Sequence, residues 1–412
     1  MTKTGHHLLR LSPCLKSYDW GSYDALPAFL GIEPTGAAVA EAWFGTHPSG
    51  PCPVAGDDGD AGDLSLAEVT ARDPAFWFGA GNREMSFLLK VLAIGRPLSL
   101  QMHPNLLEAR RGFDEENRRG IPVSDPTRVF RDANHKPELI CALTEIDALC
   151  GFRPTDDSIE LLALLGGRIG EEFVHALNAG MSIKTLVRRS LSPTDELVGA
   201  TIAARSAAIA ELVGCADRVV SHGCPEKYRL AARWIARLGR QYPTDGGVAV
   251  AALLNCVRLN KGESLFLDAG NLHAYLRGLG VEIMANSDNV IRAGMTSKHI
   301  DVDVLTRLVD TDPIAEPVTV ARRSTLMGGA EWETWVVPVP DFSLSRVKVR
   351  SDSPEALPDA PGIRVALCSE GSVTVTGSGS TVILRKGQAL VSPASAALTI
   401  SGDGEAFFAS PG

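Results

Sequence analysis

The sequence has no apolar run of transmembrane length, and Met1–Arg10 lacks the hydrophobic region that a secretory signal needs. A cytoplasmic chain with no membrane partner is therefore expected. None of the eight cysteines is spaced Cys-x-x-Cys, which argues against a zinc knuckle or a thioredoxin-type motif. Without an export signal, these thiols are expected to stay reduced. Positive charge is not in excess either. The formal net charge of −9 speaks against a general nucleic-acid partner. An anionic small molecule remains compatible, because a few local cations suffice to hold a phosphate. No histidine follows His299, so the C-terminal part cannot hold a two-histidine metal site.

What is present centres on Pro97–Pro104, Pro-Leu-Ser-Leu-Gln-Met-His-Pro. In an extended strand Leu98, Leu100 and Met102 point one way, and Ser99, Gln101 and His103 the other. Gln101 and His103 are candidate metal ligands about 7 Å apart along such a strand. Two later stretches offer partners. Asn134-His-Lys-Pro-Glu138 places Lys136 and Glu138 on one face, and Gly270-Asn-Leu-His273-Ala-Tyr275 follows a strand and a turn. Gln101, His103, Glu138 and His273 make an N₂O₂ set suited to a divalent metal such as zinc, with a position open for water or substrate.

The 412 residues are enough for two or three domains and a large core. Short aromatic, glycine-punctuated segments near Tyr18 and Trp43 suggest β structure, and Phe87–Ala93 reads as a buried apolar strand. His6-His7 reads as a surface pair, and His47 as a histidine bonded to backbone rather than a ligand. The acidic stretch Asp57–Asp63 partly matches a calcium loop, but its flanks are not helix-like, and a solvated loop is expected. The charged segment Leu106–Arg119 suits either a solvated helix or a lid. Residues 155–245 carry helical spacing at Ile159–Leu165, Ile183–Leu191, Glu196–Val213 and Glu226–Leu238, with His175 and His222 as structural or surface residues. Gly246–Leu259 is apolar and leaves helix and strand both open. Gly262–Asp303 returns to β structure, with Glu282 facing the pocket if Val281 and Ile283 face the core. From 315 onward, short strands separated by Gly, Ser and Pro suggest a second, smaller jelly roll. The fold expected is thus mainly β with an α insertion. Residues 1–154 and 246–312 would form a barrel, 155–245 a helical insertion and 313–412 a C-terminal jelly roll without metal ligands.

Six pieces in order resemble the type I mannose-6-phosphate isomerases (phosphomannose isomerases), zinc enzymes of the cupin superfamily. They are Tyr18-Asp-Trp-Gly21, Ala40–Pro48, the Gln101/His103 segment, Asn134–Glu138, His273-Ala-Tyr275 and Ser287–Gly294. The resemblance implies one Zn²⁺ on Gln101, His103, Glu138 and His273, with Arg292 as the family's catalytic arginine. It implies Glu282 or Lys136 as the proton-transfer group, and Ser99, Lys298, Tyr275 and Asp288 around the substrate. The reaction implied is interconversion of mannose 6-phosphate and fructose 6-phosphate, with a sugar phosphate as the small-molecule partner and protein partners left open. The chain departs from the family at Asn271-Leu272, Leu279 and Thr296-Ser297-Lys298, where loop geometry and substrate preference are at stake. An iron-dependent cupin oxygenase and a non-catalytic sugar-phosphate-binding cupin are the alternatives.

Overall fold

The computed structural model describes residues 8–55, 61–394 and 396–412. His6, His7 and most of the Asp57–Asp63 stretch lie outside the described residues, while Ala61–Ser65 is a strand paired with Pro53–Ala55.

The architecture is mainly β with a helical insertion, as expected, and its named strands pair antiparallel in two large sheets. The first sheet carries the metal-ligand candidates. Its principal strands are β1 (Phe87–Ile94), β2 (Leu100–Met102), β3 (Glu138–Ala142), β4 (Ile146–Phe152), β5 (Leu254–Leu259), β6 (His273–Ala285) and β7 (Ile291–Gly294). The long strand β6 is the hub, pairing with β1 and β3 along one half and with β2 and β4 near His273.

Strand alternation divides the apolar residues between two cores. Leu89, Val91, Leu139, Cys141, Val281 and Ile283 pack outward against Leu344, Leu367, Phe407 and Trp335 of the second sheet. Leu92 and Ile140, of the opposite parity, face inward with Ala148, Cys150 and Tyr275, the last of these brought to that face by the register irregularity between Tyr275 and Arg277. A one-residue slip would exchange these faces, so burial on both sides pins the register. Glu282 takes the inward parity, because Val281 and Ile283 are claimed by the outer core.

Between β2 and β3 lies α1 (Leu106–Arg118), N-capped by Asn105, whose side chain accepts from the Glu108 N–H at 2.9 Å. The helix is tied down at both ends. Glu116 is buried and accepts the N–H groups of Val129 and Phe130, while Glu108 pairs with Arg307 at 2.6 Å.

The insertion comprises α2 (Thr155–Leu165), α3 (Gly167–Asn178), α4 (Ile183–Leu191), α5 (Ile202–His222), α6 (Glu226–Gln241) and α7 (Gly247–Ala251). It differs from the expected pattern in three places. Helix α3 went unread because Gly166, Gly167 and Gly170 break its start, yet Ile169, Phe173 and Leu177 bury one face. Helix α5 begins at Ile202 rather than near Glu196, since Thr201 caps it by accepting the Ala204 N–H. The undecided segment Gly246–Leu259 is helix first and strand after.

The second sheet is built mainly from the C-terminal strands. Arg364–Gly377 forms one long strand rather than several short ones, and Ala389–Ser392 is another. That last strand pairs with Leu9–Leu11, so the beginning of the described chain joins the sheet made by its end. Among the described residues no helix is long and apolar enough to cross a membrane.

Candidate metal centre

Strand pairing assembles the centre. Strand β2 runs between β6 and β7, and Gln101 stands opposite His273 on one side and Arg292 on the other. Paired residues share a face, so one row carries His273, Gln101 and Arg292. Glu138 opens β3, opposite Met284 of β6. His103 follows β2 directly. Its carbonyl accepts the Gly270 N–H at 2.9 Å, which ties the His103 segment to the turn before His273. Gly270 has φ +78°, and a side chain there would crowd the Leu308 carbonyl, so this turn requires glycine.

The two imidazoles converge on Glu138. His103 Nε2 is 3.3 Å from its Oε1, and His273 Nε2 is 3.6 Å from its Oε2. The ring centroids are 5.1 Å apart. The opposite ring nitrogens meet backbone carbonyls. His103 Nδ1 lies 2.6 Å from the Asn289 oxygen, and His273 Nδ1 lies 2.9 Å from the Asn271 oxygen. Because carbonyls only accept, each Nδ1 must carry the proton, which leaves each Nε2 with a lone pair. Neither Nε2 has a hydrogen-bond partner although both are buried. Two aimed, buried lone pairs beside a carboxylate are costly unless a cation completes them. Ligand atoms of His103, Glu138 and His273 lie within 4.8 Å of one another, as one metal ion requires.

Electrostatics agree with ligation. Burial lowers the pKa of both histidines, to about 4 for His273, where His103 adds to the effect. Both rings are therefore neutral at pH 7. Burial works against ionising Glu138, but the Lys136 ammonium outweighs it and holds the carboxyl well below its usual range. The Lys136 ammonium is 2.9 Å from Glu138 Oε1.

Gln101 enters through a side-chain chain. The Ser99 hydroxyl donates to Gln101 Oε1 at 3.0 Å and accepts from Arg292 Nη1 at 2.9 Å. Ser99 thus links the neutral ligand candidate to the arginine. Beyond Arg292, Lys298 is pulled down in pKa by partial burial and then by Arg292 and Arg131, which marks a cluster of three cations. Tyr275 stands two residues past His273, its ring 6.1 Å from the imidazole, and burial beside Glu282 and Glu138 raises its phenol pKa. Asp288 occupies a rim position. Its carboxylate accepts from the Ser49 hydroxyl at 2.7 Å and lies 3.8 Å from His47 Nε2. His47 itself accepts the Ser49 N–H through Nδ1, as expected of a histidine bonded to backbone.

Glu282 faces the same interior, buried, with its Oε2 3.2 Å from Lys90 Nζ. Burial, reinforced by Glu138, pushes its pKa up to about 7, while Lys90 pulls the other way. Sequence reasoning passed over Lys90 because it absorbed the residue into the apolar run Phe87–Ala93. The signal was a lone lysine at the centre of an apolar strand, a position where a cation needs a partner. Asn289 was passed over too. Fully buried, it donates to the Asp132 and Asn134 carbonyls and accepts the Arg131 N–H at 2.7 Å, holding the loop that leads to Glu138.

Residues 8–155 match the catalytic domain of type I phosphomannose isomerase. The mannose-6-phosphate isomerase of Escherichia coli (strain K12) is 33% identical over 402 residues, covering 96% of this chain and 97% of that one. The chain belongs to the type I phosphomannose isomerase family. The Schizosaccharomyces pombe mannose-6-phosphate isomerase is 31% identical and covers 97% of each chain. A crystal structure of the Salmonella typhimurium enzyme, bound to fructose 6-phosphate and zinc, superposes with a TM-score of 0.84 at 29% identity, covering 98% of this chain and 99% of that one. The likeness to that isomerase accordingly extends along almost the whole chain.

Proposed function

We propose that this chain interconverts mannose 6-phosphate and fructose 6-phosphate, with one zinc ion held by Gln101, His103, Glu138 and His273. The observation that carries the reading is the pair of buried, partnerless Nε2 atoms aimed at the Glu138 carboxylate. Three ligand types on rigid strands leave a position open toward the pocket. When bound, zinc supplies a Lewis acid that stabilises negative charge developing on the sugar oxygens. The oxygenase and the non-catalytic alternatives have no such support from the family.

The protein's own groups account for the rest. Isomerisation moves a proton between C1 and C2 through an enediol. Glu282 suits that transfer, since a carboxyl poised near pH 7 can take and return a proton at neutral pH. Lys136, held against Glu138, places a positive charge beside the ligand carboxylate. Arg292 stays charged, because burial and Arg131 lower a pKa that starts far above neutrality. Its role is electrostatic and positional. Arg292, Lys298 and Arg131 converge as a phosphate-binding end, with Ser99 fixing the guanidinium. Tyr275 and Asp288 complete the wall and the rim.

The test is a coupled assay of mannose 6-phosphate conversion before and after chelation. Turnover is expected to vanish with the chelator and return with zinc. Undiminished turnover in the metal-free protein would reject the reading.

A second expectation concerns pH. A base works only when deprotonated, so kcat/KM falls as pH drops through the Glu282 pKa. Lys90 lowers that pKa, so Lys90→Met raises it. The acidic limb of the residual activity should move to higher pH. A limb that stays in place, or moves down, excludes Glu282 as the group observed.

A further inference from the structure

A second polar cleft, of about 320 Å³, opens on the outer side of the β6/β4 ribbon, where α5 and α6 pack over β5. Its walls carry Arg233, Arg237, Arg240, Arg258 and Arg277 against the carboxylates of Asp147 and Asp217, an excess of three positive charges on a chain of net −9. Arg233, Arg237 and Arg240 recur at helical spacing along one face of α6.

The arginines are not equally committed. Asp147, 1% exposed, accepts from Arg258 Nε at 2.7 Å, Arg277 Nε at 2.6 Å and Trp234 Nε1 at 3.0 Å. Arg240 pairs with Asp217. The Arg237 guanidinium lies 4.2 Å from the Trp234 ring centroid, held by the indole face. Arg233 and Arg237 have no carboxylate partner among the described residues, so their donors are free to meet a ligand. The cleft is therefore organised by a buried carboxylate, walled by an aromatic ring and left short of anions.

It is separate from the metal centre yet built on the same strands. Asp147 pairs with Arg277 on the outer face, whereas Ala148 with Tyr275 and Cys150 with His273 face the pocket. We infer that this arginine cleft is a second ligand site, for a small polyanion bearing a diphosphate group. Planar guanidiniums match phosphate oxygens in paired hydrogen bonds, and the volume lies within the range of small-molecule pockets.

The experiment uses the zinc-loaded full chain, with its catalytic pocket saturated by fructose 6-phosphate, titrated with pyrophosphate in a calorimeter. One pyrophosphate per chain is expected to bind under these conditions. The Arg233→Glu/Arg237→Glu double variant should weaken that binding by at least about tenfold, because two charge-assisted contacts become repulsive. Its kcat and KM should match the wild type. Asp217→Asn, which frees Arg240, should tighten the binding. The inference is overturned if no saturable binding survives the sugar phosphate, or if the double variant weakens it less than about tenfold.

Discussion

His273→Ala is expected to abolish both bound zinc and turnover. The imidazole is buried, its Nδ1 is fixed by the Asn271 carbonyl, and its Nε2 has no other partner. It also stands opposite Gln101, so its loss removes the ligand candidate on β6 that faces β2. Four-ligand zinc sites gain roughly 10–16 kcal/mol, or about 3 kcal/mol for each ligand, which is on the order of 100-fold in affinity. Dialysis against a weak chelator should strip the variant and leave the wild type loaded. Zinc is read by elemental analysis and activity by the coupled assay. Far-UV circular dichroism separates this from unfolding, because β6 is held by β1, β3 and β4 on either side. Stoichiometric zinc in the variant after dialysis would remove His273 from the ligand set.

Arg292→Ala is expected to separate binding from chemistry. Arg292 reaches the Ser99 hydroxyl and not the ligand atoms of His103, Glu138 or His273, so the metal should stay. What disappears is a fixed positive charge next to the proposed phosphate-binding end and in the same row as Gln101. Removing one preorganised charge stabiliser costs on the order of 3 kcal/mol in the barrier, or about 100-fold in kcat. The effect should be larger in kcat/KM, since the same guanidinium helps hold the phosphate. Arg292→Lys should recover only part of the rate, because an ammonium cannot reproduce the planar fork that meets Ser99. Zinc content equal to the wild type with normal turnover would eliminate the arginine from the mechanism.

How far the site could be read in advance depends on the range over which each residue acts. Gln101 and His103 were visible because alternation acts over two residues, and Lys136 and Glu138 for the same reason. The inward direction of Glu282 followed from Val281 and Ile283 on the same strand. Lys90 was different. Its meaning lies in Glu282, 192 positions away, with which it pairs only because β1 and β6 are neighbours. Asn289 likewise looks like an ordinary loop amide until its five hydrogen bonds with residues 131–134 are in place. The fold shows the same division. Helices with clean apolar spacing were anticipated, while α3 was hidden by its glycines and became helical because Phe173 and Ile169 found a core to fill.

By itself, the sequence supplied the candidate ligand chemistry: two imidazoles, an amide and a carboxylate, each placed by local pattern on or beside an extended strand. It also determined the mainly β character and the helical insertion, because apolar periodicity is a property of neighbouring residues. Tertiary structure alone decided which nitrogen of each histidine is free, which carboxyl is poised near neutrality and where the cations gather. Those depend on backbone carbonyls and buried charges contributed by strands far apart in the chain. Their effects become strong only once folding has removed the water between them.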